Sequence, residues 1–115
     1  MCCIELTSLE NDIVRWLLEN CEDSDVQRQL PHLLLRKRDY TGVGFFLHFS
    51  LPPDVIATPD STGDSMPILG PEIASSQLDS GAGTVLFLTN GLIDCIEIFA
   101  YGNHFPETLG DHTLT

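Results

Sequence analysis

Between Thr84 and Tyr101 the chain reads TVLFLTNGLIDCIEIFAY, two runs of β-branched and aromatic residues about an Asn90-Gly91 pair. A two-residue hairpin turn of type I′ holds positive φ at both central residues, and Asn-Gly adopts that geometry at least steric cost. The pair therefore fixes the register of a β-hairpin, and with it which side chains share a face. Strict pairing outward from the turn sets Thr89 against Leu92, Leu88 against Ile93, Phe87 against Asp94, Leu86 against Cys95, Val85 against Ile96 and Thr84 against Glu97. One face would carry Leu86, Leu88, Ile93, Cys95, Phe99 and Tyr101, with Thr84 and Glu97. The other would carry Val85, Phe87, Leu92, Ile96, Ile98 and Ala100, with Thr89 and Asp94. Both faces are mainly apolar, whereas a sheet wet on one side alternates more cleanly. The second face needs a cover: a short helix, the proline-rich loop and tail, a second subunit, or an apolar ligand.

The remaining elements follow from period and punctuation. Thr7 with Glu10 three residues on forms a capping box, opening a helix over 8–20 with Leu9, Ile13, Trp16 and Leu17 at helical spacing and Leu6 and Val14 widening the stripe. Ser24 with Gln27 opens a second, short helix over 25–30, which Pro31 stops. From Leu33 the period shortens: strands are expected over 33–40 and 43–50, joined at Thr41-Gly42, with Val43, Phe45, Leu47 and Phe49 on one face. On the first of these strands Arg36, Arg38 and Tyr40 fall on one side and Leu35, Lys37 and Asp39 on the other. Residues 51–71 hold five of the seven prolines and read as a loop; a strand is expected over 72–78, then the hairpin strands 84–89 and 92–101, then an irregular tail over 102–115. The whole is expected to be one α+β domain, its N-terminal helix packed on an antiparallel sheet of four or five strands built from two hairpins.

Charge narrows the partners. Five Lys and Arg face 17 Asp and Glu, a formal charge of −12. Nucleic acid and anionic membranes both demand net cationic contact, so neither is expected, and a basic protein partner suits the balance. No apolar run approaches the length of a membrane span, and the opening MCCIELTSLEND lacks a basic n-region. The four cysteines, Cys2, Cys3, Cys21 and Cys95, make no CxxC pair, which fits reduced thiols in a cytoplasm.

No motif names a reaction. His32, His48, His104 and His112 match no metal-ligand spacing, and no GxSxG, P-loop or glycine-flanked cysteine occurs, so neither a cofactor nor a metal is expected. Glu97 stands out because a carboxylate within an apolar strand costs several kcal/mol if buried unpaired. Two readings stay open. Glu97 is an acid or anchor in a pocket with Phe45, Phe46, Phe99 and Tyr101, Arg36 or Arg38 holding an anion; or it is a strand-edge or ion-paired glutamate. The candidate pocket or interface residues are thus Glu97, Arg36, Arg38, Tyr101, Phe99, Phe46 and His48.

The segments RKRDYTGVGFFLHFSLP and GAGTVLFLTNGLIDCIEIFAYGN resemble a class of small bacterial proteins with a TG-x-GFF hairpin and a second hairpin ending in a Leu/Ile-Glu-aromatic run. The likeness spans about Arg36 to Asn103 and implies an α+β sheet protein without implying an activity; where such relatives often carry Glu-Gly, this chain has Glu97-Ile98. Three functions are compatible with this reading. The first is an acidic, non-enzymatic interaction module of the immunity or inhibitor kind. The second is a small-molecule binding domain or minimal enzyme, and the third a structural homodimer formed through the second apolar face.

Overall fold

The computed structural model describes residues 5–56, 67–89, 91–102, 104–106 and 109–115, the side chains of Asp25 and Ile56 excepted. Cys2 and Cys3, Asn90 of the turn, most of the proline-rich loop and parts of the tail, including Asn103, lie outside them. The fold is α+β. Helices α1 (Ser8–Asn20) and α2 (Ser24–Gln29) precede β1 (Leu34–Tyr40) and β2 (Gly44–Ser50). A short helix α3 (Pro53–Ile56) follows, then β3 (Ile68–Leu69), β4 (Ile73–Ala74), β5 (Ala82–Thr89), β6 (Leu92–Ala100) and β7 (Thr113–Leu114). The sheet runs β1-β2-β6-β5-β4-β7, with β3 also paired to β5, and every pairing is antiparallel. Its four long strands, β1, β2, β6 and β5, are the two expected hairpins. The strand expected over 72–78 shrinks to β4, and the tail expected to be irregular contributes β7.

Helix α1 begins as the sequence implies: Thr7 Oγ1 accepts from the Glu10 amide at 3.2 Å, and Glu10 Oε1 accepts from the Thr7 amide at 2.8 Å. Leu9, Ile13 and Leu17 are buried against the sheet, joined by Val26 and Leu30. The sheet supplies Leu35, Phe45, Leu47, Phe49, Leu86, Ile93, Ile96 and Ile98 to the same core.

Two β-bulges correct the strict registers. On β6, Leu88 pairs with Ile93 but Phe87 pairs with Cys95, so Asp94 is the extra residue, and Val85 then opposes Glu97. The gain is Ile96 and Ile98, 1% and 0% exposed, on the same inner face as Ile93, with Glu97 turned outward. Strict alternation would have set Glu97 beside Ile93 in the core and left two isoleucines outside. Fully burying an isoleucine is worth about 1.5–3 kcal/mol, so the bulge is the stable solution. On β1 the register shifts between Leu35 and Lys37, leaving Arg36 unpaired. Leu35 and Arg38 then share the inner face, and Lys37 and Asp39 the outer, which corrects the simple alternation of Arg36 with Arg38.

The C-terminal segment is laced down by polar bonds. Asp111 accepts from the Ser75 and Ser76 hydroxyls at 3.3 and 2.7 Å and from the Ser76 amide at 3.2 Å, which together hold its carboxyl below the usual carboxylate range. His112 meets Asp12 of α1 at 2.8 Å, and Gly110 donates to Gln77.

Candidate functional site

Every buried apolar residue of the four long strands belongs to the helix side, and the other side of the sheet stands open among the described residues. Across it, from β1 to β5, run Lys37 and Asp39, Phe46 and His48, then Cys95, Glu97 and Phe99, then Val85 and Phe87. Phe46, His48, Val85, Phe87, Cys95, Glu97 and Phe99 are all half-buried, and Tyr101 at the end of β6 is 47% exposed. Among the described residues no helix lies over this surface.

Glu97 is its centre. Phe46 opposes it on β2 and Val85 opposes it on β5, with Cys95 and Phe99 two residues away along its own strand. Its carboxylate makes no hydrogen bond or ion pair among the described residues. The aromatic side chains around it are braced. Phe46 stacks on His48 with centroids 6.2 Å apart and planes at 26°, and His48 Nε2 lies 3.1 Å from Asp39 Oδ2. Phe99 meets Tyr101 edge-on at 5.5 Å, and the Tyr101 hydroxyl donates to Glu72 at 2.5 Å, a bond that pushes the phenol upward. Both rings lie over Gly83, where a Cβ would come within 3.0 Å of each.

The expected site is therefore brought together in part. Glu97, Phe46, Phe99, Tyr101 and His48 share the open face. Arg38 does not: it lies under α1, donating from Nε to Glu10 Oε2 at 2.7 Å and from a terminal nitrogen to Glu10 Oε1 at 2.6 Å. Arg36 is exposed on the edge strand, and Phe45 is buried on the inner side. Neither arginine meets Glu97, so neither pairs with it nor joins it in an anion site. Sequence reasoning missed Val85, Phe87, Lys37 and Asp39. The Asp94 bulge carries Val85 and Phe87 to the side of Cys95 and Glu97, and nothing short of the three-dimensional register reveals it.

Cys95 adjoins His48 in register, a pairing reminiscent of nucleophilic dyads, but no bond joins them. Burial, helped by the carboxylates of Asp94 and Glu97, pushes the Cys95 thiol up, opposite to what a nucleophilic cysteine requires. Among the described residues no three His, Cys, Asp or Glu side chains come together to hold a metal, and no helix is long and apolar enough to cross a membrane.

Concavity lies elsewhere. A cleft of about 330 Å³ sits at the start of α1, walled by Tyr40, Phe45 and Phe105 with Ser8 and His112. Its one carboxylate, Glu10, is already taken by Arg38, and Glu97 lines none of four clefts of 120–330 Å³. No family model, curated protein or solved structure matches the chain.

Proposed function

We propose that this chain is a non-enzymatic protein-interaction module that docks a basic protein partner on the open face of its sheet. The carrying observation is Glu97, a half-buried carboxylate without a partner among the described residues, at the centre of an aromatic and aliphatic surface. An apolar face gains from burial, and an unpaired acid within it loses unless the partner brings a positive charge. The chain's charge of −12 adds long-range attraction for a basic surface, in the manner of acidic immunity and inhibitor proteins. The free thiols of Cys21 and Cys95 fit action in a reducing cytoplasm. A second copy is a poorer occupant, because two faces meeting about a two-fold axis set acid against acid.

The test begins with native mass by light scattering, followed by capture of partners from the source cells on immobilised protein and reconstitution from purified components. The expected result is a monomer alone and a complex with a basic protein that weakens with salt and is lost in Phe87→Asp. A dimer dissociated by Phe87→Asp, or a partner indifferent to that change, overturns the proposal.

A further inference from the structure

We infer that Glu97, Phe46 and Phe99 form a seat for a single arginine side chain presented by a partner polypeptide. The inference rests on the docking reading above and specifies the chemistry at its centre. It starts from the cations of the chain itself. Arg15 approaches Asp12 at 3.9 Å, Arg28 donates to the Val55 carbonyl at 3.0 Å, Lys37 lies 3.5 Å from Asp39 and Arg38 is clamped by Glu10. Only Arg36 remains, exposed on the edge strand β1, with β2 between it and the β6 strand of Glu97. Residues 57–66, outside the described set, contain two aspartates and neither Lys nor Arg, and the other undescribed positions likewise contain neither. Among the described residues no Lys or Arg of the chain pairs with Glu97, which leaves that place for a cation from another molecule.

The neighbours of Glu97 decide which cation. A ring stands directly across on β2 and another two residues along β6, each braced from behind by His48 or Tyr101. A carboxylate beside aromatic surface favours a planar guanidinium, which hydrogen-bonds the acid through its fork while lying against a ring. A lysine ammonium is more strongly hydrated and offers a point charge, so it fits the same place less well. The surrounding Val85 and Phe87 call for apolar residues flanking that arginine.

The probe is N-acetyl-arginine amide titrated into the full chain at low salt, read by amide and side-chain carboxylate NMR shifts, with the lysine and citrulline analogues beside it. Expected are shifts centred on Phe46, Glu97 and Phe99 saturating at about 1–100 mM. The lysine analogue should bind about two-fold more weakly or worse, and the citrulline analogue should give no saturating shift. Glu97→Gln, nearly isosteric, should weaken arginine binding about three- to five-fold, Phe46→Leu about two- to five-fold, and Asp94→Asn not at all. The two site variants remove different groups, so a folding defect in one leaves the other to decide. Shifts spread evenly over the acidic surface, or equal binding by Glu97→Gln and the native chain, overturn the seat. So does self-association abolished by Arg36→Ala, which would identify the arginine as that of a second copy. A partner that docks on the face with unchanged affinity for Glu97→Gln overturns the seat alone, while a saturable seat without any polypeptide partner overturns only the docking reading.

Discussion

Glu10 and Glu97 show how position sets the meaning of a carboxylate. Glu10 is almost fully buried, yet its two oxygens accept from the Arg38 guanidinium and from the Thr7 amide, so its charge is compensated within the chain. Glu97 is less buried and has no such bonds among the described residues. Its field nevertheless acts on Cys95, whose thiol is raised first by burial, then by Asp94 and Glu97. The sign is definite: a raised thiol holds less thiolate at a given pH, and thiolate is the species that alkylates. Iodoacetamide at pH 8 should therefore modify Cys95 more slowly in the native protein than in urea. Glu97→Gln should speed the native reaction by removing one of the opposing charges, a change that site-resolved mass spectrometry will detect. A native rate matching the urea rate would contradict the burial of that thiol.

At the scale of elements, the hairpin is braced by α2 as well as by its own ladder. Gln29 is fully buried, accepting from the Ile93 amide at 2.8 Å and donating to the Gly91 carbonyl at 2.9 Å. It thus satisfies backbone groups between the turn and the bulge, where the regular ladder is interrupted. Gln29→Leu should cost about 1–3 kcal/mol by leaving the Ile93 amide buried and unpaired and the part-buried Gly91 carbonyl without its donor, measured by urea unfolding, with amide exchange at Ile93 rising most. Little of this arrangement is legible in the sequence. The capping box, the helical stripe and both hairpins are, because Thr7 and Glu10, Leu9 and Ile13, and the alternation of Phe45 with Leu47 are local patterns. The bulges at Arg36 and Asp94 are not local, since each is chosen by which residues can be buried across strands. Phe46, His48, Glu97, Phe99 and Tyr101 share one side of the sheet, while Arg36 and Arg38 fall away from them. Strands β4 and β7 span two residues each, too few for alternation to show.

The whole molecule is thin, with extents of 42 × 31 × 21 Å. Sheet and helix layers pack roughly 10 Å apart, and among the described residues the helices lie on one face of the sheet alone. Adjacent residues on β5 can report this. Leu86 is fully buried under the helices, and Leu86→Ala should cost about 2–5 kcal/mol. Val85, its neighbour on the open side, should cost about 1 kcal/mol or less when replaced by Ala. Chemical denaturation of the two variants measures the contrast directly, and a Val85→Ala loss as large as that of Leu86→Ala would mean the outer face is covered. The five cations against 17 acids work in the same direction, since like charges resist closing a face against a second copy.

The extra residue at Asp94 also makes the surface a matter of odd and even. Along β6 every side chain beyond it owes its side of the sheet to the bulge: were residue 94 placed in the regular ladder, as strict alternation from the turn would have it, the two sets would be exchanged. Glu97 and Phe99 would turn under the helices while Ile96 and Ile98 came out to water. Position 94 can therefore change its chemistry with little effect on what the molecule presents. A deletion at the same place would remove only the bulge: Cys95 would still oppose Phe87 and Ile96 still oppose Leu86, so each face would keep its side chains.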